Sequence, residues 1–140
     1  MFAKYGDRVN FVVIYVIEPH PWGQPSPYNP LFNRYDEKQG RAINGDYLYQ
    51  PDNYEWRRSQ AARMKADLGV SPIVLVDEMD NPAWCTYGPM PNCAYLIGTD
   101  GTIIEKESWY QPDPSWEGVP PGGAGYNMEK AIRAYLGLAP

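Results

Sequence analysis

The sequence predicts a mixed α/β fold: parallel and antiparallel strands in a sheet, with helices packed on it. Three observations predict this. Asn10 to Ile17 reads NFVVIYVI, apolar on both faces, as a strand buried within a parallel sheet reads. A helical segment, Asn53 to Leu68, separates it from a second apolar strand, Ile73 to Val76. Such a strand–helix–strand unit closes by a right-handed crossover into a parallel pair. PNCAYLIGTDGTIIEKE then reads as a hairpin turning at Thr99-Asp100-Gly101, which adds antiparallel strands.

Each element follows from its residues. The first strand stops abruptly at Glu18-Pro19-His20-Pro21. Residues 20–52 are rich in Pro, Gly, Asn and Tyr and show no sustained period. A loop that long is uncommon in a small domain without a task such as a lid; a rigid excursion packed by its own aromatics is the other reading. The helix is capped by Asp52 or Asn53 and ended by Gly69. Its apolar face is Trp56, Ala61, Met64 and Leu68, with Arg57, Arg58, Lys65 and Asp67 mainly outside. Residues 111–125 form a second Pro/Gly-rich loop. A final helix capped by Asn127 presents Met128, Ala131, Ile132, Tyr135 and Leu136, and Gly137 stops it.

The chain has 140 residues, the size of one domain, and 44% are hydrophobic. Fifteen prolines are about twice average usage. No apolar run approaches the roughly 20 residues needed to cross a bilayer, and the first residues lack the apolar stretch of a signal peptide; both favour a soluble, cytoplasmic protein. A net charge of −5 argues against nucleic acid or an anionic membrane as partner. One histidine and two cysteines outside Cys-x-x-Cys spacing make a metal site an unfavoured reading, and none is assigned.

The chemistry-bearing residues gather at strand ends. Glu18 and His20 are two apart, so they share a side if the extended backbone continues. Pro19 and Pro21 bias both toward extended conformations. A histidine so fixed can move a proton or polarise a phenol-like group; a stiff turn with an exposed imidazole is the alternative. Asp77, Glu78, Asp80 and Asn81 end the second strand. Ligands in open α/β sheets sit beyond the carboxyl ends of strands, and both acid groups lie there; turn-forming and helix-capping acids are the alternative. Cys85 and Cys93 bracket TYGPMPN as a candidate redox pair, although no basic neighbour or helix N-terminus is visible to activate either. Cys93 otherwise reads as a small core residue.

YGPMPNCAYLIGTDGTI resembles the second part of a thioredoxin-like fold, in which a Gly- and Pro-containing loop passes through a cis-proline into a hairpin. Pro91, after Met90, is the matching position. Within that group the chain resembles the iodothyronine deiodinases and their bacterial relatives. The residues that carry the resemblance are YVIEPHP, RRSQAARMKADLG, VDEMDN followed at the family's spacing by YG, and GAGYNMEKAIRAYL. They span nearly the whole chain in order. Pro19 departs from the family's usual Ala, the loop after His20 is longer, and Cys85 has no counterpart.

The resemblance implies one thioredoxin-like domain over residues 1–140, with flanking helices, a long Pro-rich insertion, and the first βα unit missing or truncated. It implies thiol- or selenol-dependent reductive dehalogenation, or a related reduction, of a small molecule, an aromatic one being one candidate and the substrate itself staying open. Glu18 and His20 would support the chemistry, and Asp77, Asp80, Asn81, Tyr87, Met90 and Pro91 would meet the substrate. No bound cofactor is implied; a thiol would act as reductant. In the family the reactive cysteine or selenocysteine ends a first strand, before the first helix. Here MFAKYGDRVNF resembles the tail of that helix, so this chain is expected to be catalytically inactive. Strand edges left bare are expected to self-associate, to rearrange, or to accept a donated strand. The other functional class is a non-catalytic binding or assembly module on the same scaffold.

Overall fold

The computed structural model describes residues 1–24, 27, 46–88, 93–108, 110 and 124–138, without the side chains of 124–126. Among them the fold is mixed α/β, with two small sheets and four helices. The chain divides into two compact units, Met1–Pro89 and Met90–Pro140.

In the first unit, α1 (Phe2–Tyr5) leads into β1 (Val12–Tyr15), and α2 (Tyr54–Asp67) connects β1 to β2 (Ile73–Val76). The strands pair in parallel, Val12 opposite Ile73 and Tyr15 opposite Val76. β1 is shorter than its apolar run. Its partner has only four residues, and the backbone bends at Ile17, Pro19 and His20. Asn53 caps α2, its side chain accepting a hydrogen bond from the Trp56 N–H at 2.9 Å. A third helix, α3 (Pro82–Tyr87), occupies what the sequence reads as a turn.

Two expectations are corrected here. Arg57, read as outside the helix's inner face, is 2% exposed, whereas Leu68 lies open. The inner stripe is Arg57, Ala61 and Met64, a spacing of four and three that puts them over one another. And β1–β2 is not buried on both faces: Val12, Ile14, Ile73 and Leu75 are 50%, 39%, 64% and 50% exposed.

In the second unit, β3 (Ala94–Ile97) and β4 (Ile103–Glu107) pair antiparallel, and α4 (Ala124–Tyr135) packs on them. The hairpin turn lies where the sequence puts it. Asp100 accepts from the Thr102 N–H and hydroxyl, both at 3.0 Å, and Gly101 supplies the left-handed residue at φ +85°. Met128 and Ile132 are buried with Leu96. The Tyr135 hydroxyl accepts from the Thr99 N–H at 3.1 Å, tying the helix end to the turn. Asn127 lies inside α4 rather than capping it, because the helix begins at Ala124.

Candidate functional site

The three buried charged residues among those described, Glu18, Arg57 and Asp77, are 8%, 2% and 4% exposed. All belong to the first unit, and they meet at the carboxyl ends of β1 and β2. An ionised group out of water needs partners, so each partner is informative.

Asp77 continues β2 by one residue, its N–H donating to the Tyr15 carbonyl at 2.9 Å. Its carboxylate receives three backbone donors: the N–H groups of Ala83 and Trp84 at 3.0 Å each, and of Glu78 at 3.1 Å. Ala83 and Trp84 open α3, so Asp77 serves as the acceptor at that helix start. Asn81, at the N-cap, adopts a left-handed backbone (φ 57°, ψ 47°) and makes no capping bond. Its amide donates instead to the Met79 carbonyl at 3.1 Å. Asparagine tolerates that conformation better than most residues.

Arg57 closes the floor of the site. Its guanidinium donates to the carbonyl oxygens of Asp77 and Glu78, at 3.2 and 2.5 Å. The backbone after β2 is thereby pinned to α2. Its Nε, and the Asn81 side-chain oxygen, are buried without a hydrogen-bond partner among the described residues.

Glu18 is the buried carboxyl whose ionisation the fold perturbs. Its backbone is bracketed by one side chain: Gln50 Oε1 accepts from the Glu18 N–H at 3.0 Å, and Gln50 Nε2 donates to the Glu18 carbonyl at 3.3 Å. Burial pushes the Glu18 carboxyl pKa up to about 7, while the positive charge of Arg57 acts the other way. A carboxyl that titrates near neutrality can give or take a proton under ordinary conditions.

The remaining sequence candidates separate. His20 is exposed while Glu18 is buried, since the backbone bends between them and the alternation of an extended chain is lost. Asp80, Tyr87 and Cys85 are exposed, and Asn81 is half-buried. Cys85 and Cys93 are free thiols, one in each unit. Burial pushes the Cys93 thiol pKa up, against the charge of Lys106, which disfavours the reactive thiolate. Met90 and Pro91, and with them the expected cis-proline, lie outside the described residues, as does most of each Pro-rich loop. The described ends of the first loop are stitched together: the Trp22 N–H donates to the Leu48 carbonyl at 2.6 Å, and the Trp22 and Tyr47 rings meet with centroids 4.3 Å apart, tilted by 37°.

Arg57 and Gln50 escaped the sequence reading. For Arg57 the signal was its spacing to Ala61 and Met64. For Gln50 there was none, because a loop side chain that reaches back to a strand leaves no period. Among the described residues no group of three or more His, Cys, Asp or Glu side chains is arranged to hold a metal ion. No helix among them is long and apolar enough to cross a membrane. Comparison with protein-family models, with curated proteins and with solved structures gives no match.

Proposed function

We propose that this chain is a thioredoxin-like oxidoreductase scaffold of the deiodinase type, which binds a halogenated aromatic molecule and serves its reductive dehalogenation. In that reaction a thiolate or selenolate takes the halogen. The electron pair of the carbon–halogen bond stays on the ring carbon, which takes up a proton. A second thiol then releases halide and leaves a disulfide or a mixed selenide–sulfide. The buried Glu18 carboxyl beside Arg57 is the observation that carries this reading. It is a proton donor poised near pH 7 at the carboxyl end of a parallel strand. Asp77 and Arg57 position the loop that carries Asp80 and Asn81 toward the substrate, and His20 stands at the rim. Neither Cys85 nor Cys93 stands where the resembling family keeps its nucleophile, so the thiol or selenol is external to these 140 residues.

Two features support the thioredoxin-like arrangement. The strand directions agree, parallel for β1 and β2 and antiparallel for β3 and β4. The side of β1 away from β2 carries no strand among the described residues, which is where the absent strand of that fold would pair.

The test is titration with 4-iodophenol, followed by chemical-shift perturbation and by iodide release under dithiothreitol. Saturable shifts at Glu18, Asp80, Asn81 and Tyr87 are expected, with iodide release no faster than the thiol alone gives. Binding should weaken as pH rises through about 7, and Glu18→Gln should make it independent of pH in that range. Absence of saturable shifts at these residues would refute the reading. The open side of β1 specifically favours a second reading, a non-catalytic assembly module, which predicts no phenol binding at all.

A further inference from the structure

We propose that a second copy of this chain pairs antiparallel with the free edge of β1, joining two β2–β1 sheets into one four-stranded sheet about a two-fold axis. The inference does not rest on the dehalogenase chemistry; it needs the edge of β1 in this chain to be open, and a strand supplied there by another segment would exclude it.

The edge is defined by the ladder. The Asp77 N–H donates to the Tyr15 carbonyl. In a parallel ladder a residue that accepts such a bond sends its own N–H to the same neighbour, and the residues flanking it turn both groups away. Tyr15 and Val13 therefore face β2. Val12 and Ile14 present N–H and C=O to the other side, where no backbone group among the described residues meets them. Four unpaired polar groups on an apolar strand ask for extended peptide.

Among the described residues, neither a charge nor a proline guards this edge. Natural edge strands carry Lys, Pro or inward charges. β4 has Glu105, Lys106 and Glu107. β2 is preceded by Pro72, whose carbonyl accepts from Lys65 Nζ at 3.2 Å. From Val9 to Ile17 the β1 segment has no charge and no proline. Among the described residues its far end is closed by the Gln50 amide, which gives Glu18 the two-point bracket a neighbouring strand's peptide would give.

A second copy fits on three counts. A chain of net charge −5 repels itself, but this strip is neutral, so the copies meet where repulsion is least. The strip is self-complementary. An antiparallel two-fold through Val13 sets Val12 opposite Ile14 of the second copy, and both residues turn their backbone groups outward, as a hydrogen-bonded pair requires. And the exposed side chains of Val12 and Ile14 then pack against the same two residues across the axis, apolar on apolar.

The experiment is sedimentation of the full chain over about 1 to 300 µM, with amide hydrogen exchange at both ends of that range. A dimer is expected whose Val12 and Ile14 amides exchange at least about tenfold more slowly at high concentration. The Val13 and Tyr15 amides, already bonded to β2, should not change. Ile14→Lys should weaken dimerisation at least about 30-fold. The exchange pattern of the unaltered chain stands even if that variant folds poorly. A monomer throughout the range would overturn the proposal. So would a dimer in which the Val12 and Ile14 amides stay open, or one that Ile14→Lys leaves intact, since the copies would then meet elsewhere and the edge would await a different strand.

Discussion

The two units of this molecule solve the same problem, a small sheet with a helix on it, in opposite ways. The second buries Leu96, Met128 and Ile132, with one Glu107 carboxylate oxygen also out of solvent, whereas the first buries Tyr5 and Ala61 together with all three buried charged residues among those described, Glu18, Arg57 and Asp77. The second places charges on its outer strand, while β1 and β2 carry none. An apolar interior behind a charged strand makes a self-contained hairpin–helix unit. Three buried charges beneath bare apolar strands are costly to build and are the usual price of a site or an interface. The contrast makes the first unit the place to test the proposed site.

The largest expected effect falls on the buried cation. Arg57→Met removes the donor to two carbonyls and the positive charge near Glu18. A loss of about 3 kcal/mol or more is expected in urea unfolding, together with a further rise in the Glu18 pKa visible by carboxyl NMR. A loss under about 1 kcal/mol would mean that the interior charge is incidental, and the contrast between the units would fail.

Next in size is the pH dependence of Glu18. Its pKa in the fold is about 7, against 4.5 for the free group. The folded chain therefore holds this proton more tightly than the unfolded one, and stability falls as pH rises from about 4.5 to 7. Above that window the full cost is present, about 3 kcal/mol for a shift of this size. Glu18→Gln should be more stable than the parent at pH 8 and should lose the slope between pH 5 and 7. A parent whose stability is flat across that interval would show that the carboxyl stays ionised.

These tests also mark what could be read without coordinates. β2 and the hairpin were legible because contiguous apolar residues and Thr99-Asp100-Gly101 specify them locally. The acids at strand ends were legible for the same reason, since a strand must stop somewhere and its last residues are adjacent in sequence. Arg57 was not, because an inward cation is decided by carbonyls twenty residues away. The separation of Glu18 from His20 was hidden too, as alternation was assumed to continue through two prolines where the backbone bends. The α4 start was missed because Asn127 has the chemistry of a cap, whereas the helix begins three residues earlier, at Ala124.

On the apolar side of the comparison, Ile132→Ala leaves a cavity beside Leu96 and Met128. It should cost about 2 to 4 kcal/mol, with faster exchange at the Leu96 amide. The Glu18 titration should not move, because no group that shifts it is touched. Movement of that titration would show that the two interiors are energetically coupled.

The smallest effect is the most discriminating. Asn53→Ala removes the acceptor of the Trp56 N–H, a loss of about 1 kcal/mol for a helix cap. The residue after Trp56 is Arg57, so the cap fixes the turn of α2 from which the buried guanidinium extends. If that turn positions Arg57, fraying it weakens the charge felt at Glu18, and the carboxyl pKa rises along with the loss of stability. Asn53→Asp keeps an acceptor and adds negative charge at the helix start, so it should restore both. If Asn53→Ala costs its kilocalorie and leaves the Glu18 titration in place, the two carbonyls beyond β2 hold Arg57 unaided. The polar interior would then be organised by the strand end and not by the helix.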